Sequence, residues 1–135
     1  MPGKATKTTE LWVTTRNEIG AFAKFTLPLR QNSVNIECYC AYEQGNDAVF
    51  HMLTNDNTKA KDLLTKAGYT VTEKPVVYWT VDNTPGEINK ATSALAESRI
   101  NVTYTYSTVT PGSKTAGTVF ATSDNNKAFD TLNRL

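Results

Sequence analysis

Residues 17–36 read NEIGAFAKFTLPLRQNSVNI, and residues 83–102 read NTPGEINKATSALAESRINV. At a constant offset of 66 the two stretches pair Asn17 with Asn83, Gly20 with Gly86, Lys24 with Lys90, Thr26 with Thr92, Leu29 with Leu95 and Asn35 with Asn101. The apolar pairs Phe22/Ile88, Val34/Ile100 and Ile36/Val102 fall in the same register. A fixed-period repeat is the first thing to establish in a chain, because each copy is then one structural unit. A second block agrees: TNDNTKAKDLL (residues 54–64) answers TSDNNKAFDTL (residues 122–132) at an offset of 68. The change from 66 to 68 requires a two-residue insertion in the second copy, and the TPGSK stretch from Thr110 to Lys114 has the Pro-Gly chemistry of a loop that can hold it.

Working outward, residues 10–16 (ELWVTTR) and 76–82 (VVYWTVD) are rich in β-branched and aromatic residues and predict a strand ahead of each repeated stretch. After Gly20, Phe22, Phe25 and Leu29 recur at helical spacing; after Gly86, Ile88, Ala91, Leu95 and Ala96 do the same. Pro85 precedes its helix, where a missing N–H costs little. Pro28 lies inside the first helix, and the lost hydrogen bond predicts a kink or an early end. Second strands are expected at 34–42 and 100–108, third strands near 47–54 and 116–122, and second helices starting close to Asn57 and Asn125 in Asn/Asp-rich capping sequence. Gly68 ends the second helix of copy one, and Tyr69 to Lys74 supplies its last strand. The order is β-α-β-β-α-β, the ferredoxin-like split unit.

The expected fold is therefore α+β: two ferredoxin-like βαββαβ units in tandem, sharing an antiparallel sheet with helices on one face. The expected boundaries are an N-terminal extension over 1–9, a first unit over 10–75 and a second over 76–135. The second copy reads as lacking its last strand, since its final helix occupies the last residues, and the edge so exposed needs a cover. The segment Gly3 to Thr9, or a second chain, is the expected cover.

The sequence of 135 residues carries 14 Lys and Arg against 13 Asp and Glu, a net charge of +1. No basic stripe is present for nucleic-acid binding. No apolar run approaches the roughly 20 residues of a membrane span, and the polar start has no signal-peptide pattern. A cytoplasmic location without membrane or nucleic-acid partners is the expectation. No nucleophile-and-base pairing, G-x-S-x-G elbow or P-loop points to an enzyme, and no cofactor is expected.

The stretch N-T-P-G-E-I-N-K-A-T-S-A-L-A-E-S-R-I-N-V resembles the ACT domain signature: a strand ending in Asn-x-Pro-Gly, a helix, then Ile-Asn-(Ile/Val). Copy one carries the same pattern with Ile19 where proline is usual, and the chain resembles small free-standing bacterial proteins made of two ACT units. The resemblance implies a regulatory protein that senses a small molecule, an amino acid foremost, at the seam of paired units. It implies a ligand site on Asn17, Ile19, Gly20, Ala21 and Asn35 in copy one, and on Asn83, Pro85, Gly86, Glu87 and Asn101 in copy two. In the serine-inhibited branch two asparagines 18 residues apart hold the effector, as Asn17/Asn35 and Asn83/Asn101 are spaced here. The histidine that assists in that branch is replaced by Thr15 and Val81. Physically, helix-start N–H groups after a glycine turn suit a carboxylate, and Asn side-chain oxygens suit an ammonium. The same asparagines could equally shape turns. A structural adaptor that has lost the ligand site is the alternative function.

Cys38, Cys40 and His51 raise a third alternative, a metal sensor, since soft ligands on neighbouring strands suit zinc or nickel. Strand alternation instead groups Ile36, Cys38 and Cys40 on one face, matched by Val102, Tyr104 and Tyr106, which reads as core. Leu11, Val13 and Thr15, matched by Val77, Trp79 and Val81, should face the helices. Trp12, Tyr39 and Tyr78 then point to the opposite face as a contact surface. A homodimer using that face or the sheet edge is expected, with Arg16 or Lys74 as the alternative cover for the aromatics.

Overall fold

A computed structural model describes residues 3–135; Met1 and Pro2, the first two residues of the expected extension, lie outside the described residues. The elements in chain order are β1 (Lys4–Arg16), α1 (Ala21–Gln31), β2 (Ile36–Gln44), β3 (Asp47–Thr54), α2 (Asn57–Lys66), β4 (Val71–Asp82), α3 (Glu87–Glu97), β5 (Val102–Thr108), β6 (Thr115–Thr122) and α4 (Asn125–Asn133). The fold is α+β, with six antiparallel strands and four helices. It divides into two compact units: Thr9–Lys74, and Pro75–Leu135 together with the segment up to Thr8.

In the first unit the strand order is β2-β3-β1-β4, drawing on the C-terminal part of β1 and the N-terminal part of β4. Leu11 and Val13 alternate onto one face of β1 and meet Phe50 and Met52 of β3, with Val13 opposite Phe50 in register. Phe25 and Leu29 of α1 and Ala60 and Leu64 of α2 cover the same face, so both helices lie on one side of this unit's strands. The Phe25 and Phe50 rings stack at 4.5 Å. Each such fully buried large apolar side chain stabilises the unit by about 1.5–3 kcal/mol. Helix α1 continues three residues past Pro28 to Gln31, without the early end expected from sequence. Burial of Phe25 and Leu29 on either side of the proline outweighs the single lost hydrogen bond.

In the second unit the order is β1-β4-β6-β5, with Lys4–Thr8 of β1 as the fourth strand. The segment is held there by specific bonds. The Ala5 N–H donates to Asn133 Oδ1 at 2.8 Å, Asn133 Nδ2 donates back to the Ala5 carbonyl at 3.2 Å, and the Thr6 hydroxyl donates to the Tyr78 carbonyl at 3.4 Å. Ala5 is buried in a core of Val77, Trp79, Leu95, Phe120 and Leu132. The last strand that the repeat lacks after α4 is thus supplied from the other end of the chain.

The second repeated block makes the same joint twice. Asn57 Oδ1 accepts from the Thr54 N–H (3.1 Å) and hydroxyl (2.7 Å) while its Nδ2 donates to the Thr9 carbonyl at 2.7 Å. Asn125 Oδ1 accepts from the Thr122 N–H (3.1 Å) and hydroxyl (2.8 Å), and its Nδ2 donates to the Pro75 carbonyl at 2.9 Å. Asp56 and Asp124 cap α2 and α4, each accepting at 3.0 Å from the N–H of Lys59 or Lys127.

The alternation assumed for β2 and β5 is broken in both units. A bulge between Ile36 and Cys38, and another between Val102 and Tyr104, inserts one residue and reverses the faces beyond it. Tyr39 stands opposite Met52 on the helix side, edge-on to Phe22 at 5.5 Å. The expected grouping of Tyr39 with Trp12 and Tyr78 is therefore wrong. Cys38 and Cys40 occupy the face opposite the helices, and so do Tyr104 and Tyr106.

Candidate functional site

The glycine turns come first. Gly20 (φ 84°) and Gly86 (φ 92°) hold the left-handed conformation immediately before α1 and α3, a region that side-chain-bearing residues enter at a cost. Neither helix has a side-chain cap, in contrast to α2 and α4. The first-turn N–H groups of α1 lack intrahelical partners by the geometry of any helix start, and they carry the positive end of the helix dipole. The first turn of α1 has no acidic residue, whereas α3 opens with Glu87, whose carboxylate accepts from Lys90 Nζ at 2.9 Å.

The asparagines divide by role. The Asn17 N–H donates to the Asn46 carbonyl at 2.9 Å and its Nδ2 to Glu43 Oε2 at 2.7 Å, tying the end of β1 to the β2–β3 hairpin. Asn83 does the same in the second unit, with its N–H on the Lys114 carbonyl (2.9 Å) and its Nδ2 on the Ser113 carbonyl (3.0 Å). Asn35 and Asn101 use their backbones: the Asn35 N–H donates to Asn55 Oδ1 at 2.9 Å, the Asn101 N–H to Ser123 Oγ at 3.0 Å, and both residues are exposed. Asn17 precedes α1 and Asn35 follows it. Eleven helical residues at about 1.5 Å each put roughly 16 Å between the two ends. Within one unit, therefore, Asn17 and Asn35 do not converge, and neither do Asn83 and Asn101 at the ends of α3.

Asn17, Gly20 and Ala21 do share a cavity of about 290 Å³ in the first unit, completed by Glu18, Tyr42 and Glu43. Asn35 lines a different one, of about 710 Å³, with Lys24, Leu27, Arg30 and Val34. Ile19, in the usual proline position, is fully exposed. Glu43 and Tyr42 were not identified from sequence. Their counterparts in copy two at the offset of 66 are Val109 and Thr108, so the repeat places no mark on them.

Cys38, Cys40 and His51 lie together on the face of the first unit away from its helices, with Cys40 opposite His51 in register. Glu10 and His51 are both buried there, at 0 % and 1 % exposure. His51 Nδ1 is 3.3 Å from Glu10 Oε1 and His51 Nε2 is 2.8 Å from the Tyr42 hydroxyl. Trp12 Nε1 donates to the same Glu10 oxygen, and Lys74 Nζ sits 3.4 Å over the Trp12 ring. Lys74, weighed from sequence as a cover for the aromatics, fills that role. Burial foremost, then the Glu10 and Cys40 charges, pushes the Cys38 thiol up from 9.0 to about 11. Burial and then Glu10 raise the Cys40 thiol too. The Tyr42 phenol is raised by burial first, then by Cys40 and Glu10. Among the described residues, no group of three or more His, Cys, Asp or Glu side chains is arranged to hold a metal ion.

Two ferredoxin-like units, each with an Asn-x-x-Gly turn that opens an uncapped helix, define a duplicated α+β domain. The family model for the ACT domain pair matches residues 7–133, and the chain belongs to that family. Among solved structures it is similar to protein BT0572 from Bacteroides thetaiotaomicron, at 22% identity and TM-score 0.89 over 96% of this chain and 89% of that one. It is also similar to the regulatory subunit of aspartate kinase from Thermus thermophilus (ligand-free form; 11% identity, TM-score 0.67, 96% of this chain, 95% of that one). The corresponding subunit from Thermus flavus follows at 12% identity and TM-score 0.63, over 97% of this chain and 95% of that one. No curated protein sequence matches. Identities this low carry the fold alone. No helix among the described residues is long and apolar enough to cross a membrane.

Proposed function

We propose that the chain is a regulatory protein that binds an amino acid in the first unit, at the cavity beside Gly20. The observation that carries this reading is the pairing of opposite chemistries around that cavity. The uncapped start of α1 offers N–H donors for a carboxylate. Glu18, Glu43 and the Asn17 amide face the same space and suit an ammonium. A zwitterion needs both, and the cavity size is near the lower end of small-molecule sites. The second unit is the weaker candidate, because Glu87 at the first turn of α3 repels a ligand carboxylate and Val109 stands where the first unit has Glu43. There the turn serves as structure, which is the adaptor reading confined to one half of the molecule.

The regulatory role is supported by the family and by likeness in fold to the aspartate kinase regulatory subunits. Binding becomes regulation when the ligand prefers one state of the protein over another. A cytoplasmic homodimer pairing through the β2 edge belongs to the same proposal. In the first unit β2 is the outermost strand, with Phe22 and Tyr39 partly exposed beside it. A thermal-shift screen of the twenty amino acids tests the binding claim. A ligand at a hundredfold its Kd stabilises the native state by about 2.7 kcal/mol, and Glu43→Gln should abolish the shift. No stabilisation by any amino acid would leave the adaptor.

A further inference from the structure

The duplication supplies an internal comparison. Helix-facing positions match in kind between copies: Leu11 with Val77, Val13 with Trp79, Leu29 with Leu95. The opposite faces have diverged. Where the first unit has Trp12, Tyr42 and Val49, the second has Tyr78, Thr108 and Gly117. The hairpins differ too: two residues join β2 to β3, but six join β5 to β6. That longer hairpin and this altered face together bound a pocket of about 490 Å³.

The pocket is built from Tyr78, Thr80, Thr108, Thr110, Thr115 and Gly117, with no charged side chain in its lining. Gly117 shapes its floor. A methyl group there would run into the Tyr78 hydroxyl and the ring carbon that bears it, so the missing side chain is what lets the Tyr78 ring lie across the neighbouring strand. The loop is held in one shape. The Ser113 N–H closes a turn on the Thr110 carbonyl at 2.8 Å, with Gly112 at φ 84°. The Ser113 hydroxyl donates to the Thr115 carbonyl at 2.9 Å, and Asn83 clamps the Ser113 and Lys114 carbonyls. The four threonine hydroxyls themselves are bonded to no other described residue.

From these features we infer that the second unit binds a neutral saccharide of one or two rings on Tyr78, under the β5–β6 hairpin. Threonine hydroxyls both donate and accept, as sugar hydroxyls do, so each can pair whichever way the ligand presents itself. The Tyr78 ring offers a flat apolar surface to the C–H face of a pyranose, where dispersion contacts add up. The lining offers no counter-charge to an ionic ligand. The volume lies within the range of small-molecule sites. A loop fixed before binding lowers the ordering cost of association.

The test is an amide chemical-shift titration of the full chain with D-glucose, D-galactose and maltose. The expected result is saturable shifts confined to Tyr78, Thr80, the 108–115 hairpin and Gly117 with at least one of the three. The isosteric Thr80→Val and Thr108→Val, which leave the fold intact, should each weaken binding about tenfold, the effect of one lost hydrogen bond. Tyr78→Ala should abolish it. Unsaturable shifts, shifts outside the hairpin face, or affinities unchanged in the valine variants would overturn the inference. The amino-acid screen at the Gly20 cavity reads a different unit, so either result can fail alone.

Discussion

Glu10 and His51 form a buried pair in a unit whose duplicate shows the apolar solution to the same positions. Glu10 corresponds to Val76 and His51 to Val119, and both valines are buried. The registers agree, since Trp12 faces His51 as Tyr78 faces Val119. Removing one member of a buried ion pair leaves the other uncompensated, at a cost of about 3–5 kcal/mol, whereas replacing both with apolar residues is often neutral or stabilising. His51→Val should therefore cost about 3–5 kcal/mol, since it takes the imidazole 3.3 Å away from a carboxylate at 0 % exposure. Glu10→Val should cost less, about 1–3 kcal/mol, because the His51 imidazole keeps its bond with the Tyr42 hydroxyl. The double variant, which copies the second unit, should lie within about 1 kcal/mol of the parent or above it. Urea unfolding at neutral pH for all four proteins gives the cycle. Additive losses, with the double variant as unstable as the two singles summed, would refute the reasoning.

The N-terminal strand carries a second prediction. Asn133→Ala leaves the Ala5 N–H and carbonyl unpaired in a part-buried site and should cost about 1–3 kcal/mol. Amide exchange should quicken through the second unit more than through Thr9–Lys74. A protection pattern unchanged in both would contradict the role assigned to Lys4–Thr8. The glycine turns carry a third. Gly20→Ala and Gly86→Ala meet no atom within 4 Å, so their cost is backbone strain alone, about 1–2 kcal/mol each; Gly20→Asn should cost less, and denaturant midpoints will rank them. The thiols carry a fourth. A Cys38 pKa of about 11 means that the native state holds its proton more tightly than the unfolded chain does. The sign follows: the stabilising difference is complete below about 9 and is lost as pH rises from 9 towards 11. Iodoacetamide should accordingly spare Cys38 in the native protein near neutral pH and modify it on unfolding, as mass spectrometry will show.

Much of the fold was legible because duplication prints each element twice. The third strand, the second helices and the βαββαβ order follow from residues 17–36 and 54–64 set against their copies. Three features were not legible, for physical reasons. The bulges at Ile36–Cys38 and Val102–Tyr104 carry no glycine or proline, so nothing in the residue types announces the extra residue that moves Tyr39 and the cysteines across the sheet. Lys4–Thr8 is too polar to read as a strand, and its state is decided by Asn133 and by the core around Ala5. Pro28 obeys packing over local propensity. Of the candidate site, Asn17, Gly20 and Ala21 were named from sequence, but Glu43 reaches them through a hairpin whose closure no local pattern specifies. The spacing of 18 residues between paired asparagines measured the length of a helix rather than the width of a pocket.

An amino acid bound beside Gly20 is what would make the first unit a sensor. An amide chemical-shift titration of the full chain with the best ligand from the screen addresses it directly. Saturable shifts over Asn17 to Ala23, with the Tyr42–Glu43 amides moving in step and all lost in Glu43→Gln, are the predicted result. Saturable binding that leaves those amides unmoved, or that perturbs the Gly86 turn in their place, would contradict it.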